Sequence, residues 1–278
     1  MKIEIFLPRF LNPYKIDGLI RVGKANDGGY IVNSQDVLNT KHLISLGVSF
    51  DYSFEKNFLN KNTNIKIRTY DGSVGFRYYI KKLKYRIKVF LFKPNSKNLQ
   101  NIIEGLIEFL KFSIFYKFNV FSKIKHIEKF VIKDTKNFFD FEKNYGYKAE
   151  FIEFKEVISK KLKSVFLSID IEGGEYELLD EICALSKNLT GLIIEFHNVQ
   201  KNLKLIESFI KKIDLVLIHT HVNNFGPILN GVPSVIELSF SKLLEKNSFE
   251  DKQLVNNLPI NLDQPNNVDS IDYLVSFK

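Results

Sequence analysis

The sequence predicts an α/β fold on an open, mostly parallel sheet, and three observations carry that reading. Val165–Ile169 is a short apolar run ending on Asp170, followed by Gly173, Gly174 and an amphipathic segment. This is the pattern of a buried parallel strand that turns into a helix at the mouth of such a sheet. Further strand-like runs at 41–47, 65–71, 126–132, 191–197 and 215–221 are interleaved with helical patterns at 51–59 and 201–212. The 278 residues, 45% of them hydrophobic, suffice for a full core.

That length lies near the upper size of one domain, so residues 1–278 read as a single domain carrying an insertion. One cysteine excludes a disulfide framework and a thiolate metal cluster, and Cys183 sits in an apolar run as packing. No apolar stretch approaches the ~20 residues of a spanning helix, and the N-terminus has no basic-then-apolar leader, so a cytoplasmic location is expected. A formal charge of +8 and a pI of about 9.2 favour an anionic partner: a nucleotide, a phosphorylated sugar, nucleic acid or a membrane surface. Composition does not choose among them, and abundant Lys, Asn, Ile and Phe also fit a coding bias toward A and T.

Residues 1–20 read as an N-terminal arm. Residues 21–32 read as a hairpin whose tight turn is Asn26-Asp27-Gly28-Gly29. The 41–47 strand runs into Gly47, where a missing side chain lets a ligand approach the backbone, and on to Ser49. The glycine pattern of dinucleotide sites is absent there, which argues against NAD. Residues 51–59 form a helix with Phe54 and Phe58 toward the sheet. The 65–71 strand ends on Asp71, the position from which an acidic side chain accepts hydrogen bonds from a ribose diol, with Gly72 and Ser73 beside it. Helix capping is the other role such an aspartate fills.

Residues 74–126 depart from this rhythm. Between Gly72 and Ile103 there is no acidic residue, whereas Arg77, Lys81, Lys82, Lys84, Arg86, Lys88, Lys93 and Lys97 crowd the span. The segment is too long for an ordinary crossover and reads as a basic helical insertion broken at Pro94. A lid that recruits a phosphate-bearing or membrane-associated acceptor explains this pattern, and so does an oligomer contact with a solvated face. No nucleic-acid motif accompanies it, so nucleic acid is not an expected partner.

Residues 126–132 make a further strand, and residues 151–158 a short connection to Val165–Ile169. A period of two puts Glu195 and His197 on one face of the 191–197 strand, and His219 and His221 on one face of the 215–221 strand. Three of the five histidines then stand at the carboxyl ends of two strands expected to be neighbours. With Asp170 they offer carboxylate and imidazole ligands to an octahedral Fe2+, Mn2+ or Mg2+ ion. Asn223 and Asn224 are amides suited to orienting a sugar hydroxyl. Residues 233–240 return as a last strand, and the chain beyond Lys242 reads as a polar surface tail.

The segment Ile169-Asp170-Ile171-Glu172-Gly173-Gly174-Glu175 resembles the Ile-Asp-x-Glu-Gly-x-Glu stretch of the FkbM-like methyltransferases, a branch of the class I S-adenosylmethionine-dependent enzymes. Arg21-Val22-Gly23 with Asp27-Gly28-Gly29-Tyr30, Leu46-Gly47-Val48-Ser49, Tyr70-Asp71-Gly72, and Glu195-Phe196-His197 with His219 to Asn224 extend the resemblance, which covers about 20–74 and 126–240. It implies a Rossmann-like sheet with an antiparallel last strand, and methylation of oxygen on a sugar or other small hydroxylated metabolite. It also implies that the 21–30 element lies over the cofactor. The metal does not follow from the resemblance.

The expectation is therefore an S-adenosylmethionine-dependent O-methyltransferase of a carbohydrate, sugar nucleotide or surface-polysaccharide precursor, assisted by a divalent metal. The methyl donor falls to Asp27, Gly29, Gly47, Ser49, Asp71, Gly72, Ser73 and Asp170, and the metal to Asp170, His197 and His221. The acceptor falls to Arg21, Glu172, Asn223 and Asn224, with His219 or Glu195 taking its proton. The basic insertion also admits peripheral membrane association or a homo-oligomer. The rival from another class is a basic protein that binds nucleic acid or lipid on a degenerate methyltransferase fold.

Overall fold

A computed structural model of the protein describes residues 3–114, 124–134, 150–159, 161–242 and 253–278. Its centre is a seven-stranded sheet, numbered here in chain order: β1 His42–Leu46, β2 Lys66–Tyr70, β3 Ile124–Ile127, β4 Val165–Ile169, β5 Leu189–His197, β6 Val216–Val222 and β7 Val235–Ser241. Across the sheet the order is β3-β2-β1-β4-β5-β7-β6, with β7 antiparallel to β5 and β6 and the other neighbours parallel. Strand β4 is apolar apart from Ser168 because both its faces are covered, and all five of its residues are buried.

Helix Val199–Lys212 places Val199, Ile206 and Phe209 on one stripe, which packs with Leu178 and Ile182 of helix Glu175–Leu185 against Leu167, Ile194 and Phe196. The opposite face holds helix Ser53–Lys61, whose Phe54 and Phe58 meet Phe166 and the apolar residues Leu43, Ile67 and Ile193.

The described part of the insertion is a pair of helices, Phe76–Phe92 and Ser96–Ser113, broken at Pro94 as expected. Asn95 caps the second helix by accepting the Asn98 N–H at 2.8 Å. Tyr79 packs against Phe112 at the buried base, with ring centres 4.7 Å apart and planes tilted by 39°, Lys82 pairs with Glu108 at 2.8 Å, and Arg86 donates to the Asn101 carbonyl at 2.7 Å. Residues 115–123 of the expected insertion lie outside the described residues.

Two expectations change. The 126–132 run is not one strand: Ile124–Ile127 joins the sheet, while Phe130–Ile132 pairs in parallel with Phe151–Glu153. Within the segment beyond Lys242, residues 253–278 are not a surface tail either. Tyr273–Phe277 pairs with Ile3–Leu7, and Leu258, Asn266 and Val275 are buried. The apolar residues of this segment are too sparse to show a period in sequence, so its packing rests on isolated contacts. No helix among the described residues is long and apolar enough to cross a membrane.

Candidate functional site

Register builds a row of polar groups along the carboxyl edge of the sheet, where open α/β folds hold ligands. Ile169 of β4 lies beside Leu46 of β1 and Ile194 of β5, so Gly47, Asp170 and Glu195 follow at one level. The antiparallel β7 continues the row, with Glu195 opposite Glu237 and Glu237 opposite His221. Ser49 after β1, Glu172 after β4 and Asn198 after β5 all hold left-handed backbone, at φ 51°, 54° and 53°. Such strain collects at functional sites.

Gly47 has φ 76°, and a Cβ there would come within 1.5 Å of the Asp170 carbonyl oxygen, so the close packing of the β1 turn on β4 itself demands glycine. Asp71 is buried; its Oδ2 accepts the Ser49 N–H at 2.7 Å, and its Oδ1 accepts the Ser73 N–H at 2.7 Å and the Ser73 hydroxyl at 2.6 Å. It thereby ties the turns after β1 and β2 together. Gly47, Ser49, Asp71, Ser73 and Asp170 line one cavity of 270 Å³, walled by Phe130, Val131, Ile132 and Ile171. Gly72 stands outside that lining, and its missing side chain makes room for Phe130, whose ring a Cβ would approach to 2.1 Å. A second cavity, of 410 Å³, shares Gly47, Ser49 and Asp170 and adds Asp27, Tyr30 and Glu55. Gly29 does not line it: a Cβ there would fall 2.1 Å from the Lys24 carbonyl, so this glycine serves the hairpin.

His197 ends β5. Its Nδ1 lies 2.6 Å from Oε1 of Glu175, the fully buried first residue of its helix, and the same oxygen accepts the His197 backbone N–H at 3.1 Å. The ring is thereby fixed, with Nε2 at 3.8 Å from Asp170 Oδ1, 3.4 Å from Glu172 Oε2 and 3.6 Å from Glu195 Oε1. Asp170 Oδ1 is shielded from solvent and has no hydrogen-bond partner among the described residues. Burial, reinforced by Glu172, Glu175 and Glu237 against the pull of His197, raises the Asp170 carboxyl to about 7. Burial with Asp170, Glu237 and Asp27 pushes Glu195 well above the usual carboxylate range. Burial lowers the His197 imidazole, but Glu175, Asp170 and Glu172 together outweigh it and raise its pKa. Bringing these like charges together favours a bound cation or a shared proton. The ligand atoms of Asp170, Glu172 and His197 all lie within 4.8 Å of one another. A first-row divalent ion at ~2.1 Å from its ligands sets adjacent ligand atoms roughly 3 Å apart, so this donor set fits such an ion in a slightly open form.

No protein-family model and no curated protein matches the chain. The strand order, with its single antiparallel strand in the penultimate position, decides the architecture. The fold is a Rossmann-like sheet with the antiparallel strand that the sequence resemblance implies. Similar solved structures include methyltransferase FkbM from Methylobacillus flagellatus KT, 12% identical with a TM-score of 0.39 over 84% of this chain and 48% of that one. The chain thus spans about half the length of that protein. Others are a precorrin-6y methyltransferase from Geobacter metallireducens GS-15 (11% identical, TM-score 0.33, 75% of this chain and 85% of that one) and the fibrillarin pre-rRNA processing protein of Methanococcus jannaschii (8%, 0.32, 82% and 84%). At these identities and TM-scores the likeness carries no argument about activity, substrate or partner.

Within this sheet, the expected metal set of Asp170, His197 and His221 is split. Strand β7 separates β5 from β6, so Glu237 stands between Glu195 and His221. His221 is held instead by Asp263 at 3.1 Å and Asn266 at 2.8 Å, and His219, itself buried, by the same Asp263 oxygen at 2.9 Å. The structure therefore does not bring His219 to the cleft as a base. Arg21 donates to the carbonyls of Lys24 and Asn26 at 3.4 and 2.5 Å, closing the hairpin turn. Asn224 is engaged on both ends with the Asn267 backbone, at 2.9 and 2.7 Å. Asn223 donates to Glu195 at 3.1 Å and accepts the Phe225 N–H at 2.9 Å. These three side chains hold protein groups rather than standing free for an acceptor. Sequence reasoning places Glu175 at the crevice without giving it a role, and misses Glu237, Asp263 and Asn266 as parts of the site. Glu175 and Glu237 left a signal, an acid at the start of a helix after Gly174 and an acid inside an apolar strand.

Proposed function

We propose that the protein is an S-adenosylmethionine-dependent O-methyltransferase acting on a hydroxyl of a carbohydrate, sugar nucleotide or surface-polysaccharide precursor, with a divalent cation beside the acceptor. The observation that carries this reading is that Asp170 belongs both to the 270 Å³ cavity and to the cluster around His197. Methyl donor and acceptor would meet across it.

In the cavity, the remaining lone pair on Asp71 Oδ2 suits a ribose hydroxyl, and Phe130, Ile132 and Ile171 suit an adenine face. The turn at Gly47 and Ser49 leaves backbone for the amino-acid end of the donor. The carboxyl row, which a nearby positive charge would draw toward its ionised form, suits the positive sulfonium and, beyond it, an acceptor that must lose a proton. Glu195, held by Asn223, would take the hydroxyl proton as the acceptor oxygen gains the methyl group. A bound donor would supply that methyl carbon and leave as a neutral thioether, the carbon–sulfur electron pair staying on sulfur. A carboxylate pushed upward by burial is a stronger base than an exposed one and suits this role. A divalent ion at Asp170, Glu172 and His197 would lower the pKa of the acceptor hydroxyl, with Glu175 holding the His197 ring in place.

The test is transfer of a labelled methyl group from S-adenosylmethionine to nucleotide sugars and polysaccharide precursors, with Mn2+ and with excess chelator. Cation-dependent labelling on oxygen, lost in Glu195→Gln, is expected. Labelling of RNA alone, or labelled sugar at full rate in chelator, would remove the acceptor or the cation from the proposal.

A further inference from the structure

We propose that the helical hairpin 76–113 docks the protein on an anionic lipid bilayer. Its charge is the first observation. The hairpin carries nine Lys or Arg against two Glu, a formal +7 in a chain whose net charge is +8. Nearly all the positive excess is thus gathered on one projection.

The second observation is apolar exposure on the same element. Ten of the 21 exposed large hydrophobic side chains among the described residues belong to it, with Leu91 73% and Phe92 76% exposed at its tip. Ile80, Ile87 and Leu91 share a face of the first helix with exposed Lys84 and Lys88, and Lys93 and Lys97 flank the tip. The second helix exposes Leu99, Ile103, Leu106 and Leu110 at the spacing of a continuous stripe. The base is anchored by buried Tyr79 and Phe112, so these side chains are presented on a fixed support.

Apolar residues ringed by flexible lysines are the composition that enters the headgroup boundary: the apolar groups sink, the lysine stems lie along them and the ammonium groups meet lipid phosphates. Charge decides between this occupant and the alternatives. A second copy would bring +7 against +7, and nucleic acid would leave the leucine and isoleucine stripes in water. The inference does not depend on the methyl-transfer reading.

The experiment is cosedimentation of the full chain with vesicles of phosphatidylcholine alone and of phosphatidylcholine mixed with phosphatidylglycerol, at low and high salt. Binding is expected to the mixed vesicles only, and to weaken with salt. Leu91→Ser with Phe92→Ser should reduce partition roughly tenfold or more, and Lys84→Glu with Lys88→Glu should bring it to the level of neutral vesicles. All four positions are exposed, so melting temperatures should hold. Failure to bind mixed vesicles would overturn the proposal, as would binding that the apolar pair leaves unchanged. A dimer in sedimentation velocity that the apolar pair dissolves, with vesicles ignored, would assign the surface to a second copy.

Discussion

Nδ1 of His197 and Oε1 of Glu175 lie 2.6 Å apart, with Glu175 wholly withdrawn from solvent. That bond fixes which way the opposite ring nitrogen points, and it points at Asp170, Glu172 and Glu195. A carboxylate behind a ligating imidazole sets its tautomer and strengthens it as a donor.

Glu175→Ala should accordingly weaken Mn2+ binding roughly 10- to 100-fold, measured by calorimetry or by the Mn2+ resonance signal. Glu175→Gln, which keeps an acceptor for the ring but loses the charge, should fall between. Parental affinity in Glu175→Ala would separate His197 from any metal.

The Asp263 clamp on His219 and His221 should shape stability against pH. Burial lowers the His221 imidazole, but Asp263, Glu237 and Asn266 reverse this and raise it to about 9, while the two histidines hold Asp263 well below the usual carboxylate range. The His221 contribution is complete below the ordinary imidazole value of about 6.5 and is lost as pH rises through about 9. The Asp263 contribution is complete above about 3.9 and is lost in acid. Asp263→Asn should cost roughly 1–3 kcal/mol near neutrality and flatten the alkaline decline. A parental alkaline slope in that variant, followed by thermal melting, would contradict the clamp.

Glu55 has the opposite sign. Burial pushes its carboxyl up to about 7, against the opposing pull of Ser45 and of its own backbone N–H. Its ionised form is held less well by the folded chain than by the unfolded one, so stability is lost as pH rises from about 4.5 through about 7. Glu55→Gln should be near neutral at acid pH and stabilising by roughly 1–3 kcal/mol above pH 7. Equal melting of variant and parent at alkaline pH would show that the carboxyl ionises freely.

Much of the sheet was legible because its strands are short apolar runs bounded by turns: Val165–Ile169 with Asp170 announces both a strand and the edge that holds ligands. Asp71 and Gly47 were legible as positions, yet their local reasons differ from those the sequence suggests. Asp71 holds Ser49 and Ser73, and Gly47 clears the Asp170 carbonyl. The histidine set was misread because chain order hides spatial order. The last strand returns between β5 and β6 and inserts Glu237 between Glu195 and His221, which keeps His221 a strand away from His197. The C-terminal segment was illegible for another reason. Asp263 and Asn266 act through bonds to residues 42–45 positions away, which no local pattern encodes.

Methyl-donor binding is the most direct test, read by calorimetry with S-adenosylmethionine and with its demethylated product. One site per chain is expected for each ligand. Asp71→Asn, which keeps one acceptor oxygen for Ser73 but turns an amide toward the Ser49 N–H and removes the charge proposed to meet the ribose, should weaken both roughly tenfold, or ~1.4 kcal/mol. A folded protein that shows no heat with either ligand at millimolar concentration would contradict the methyltransferase reading.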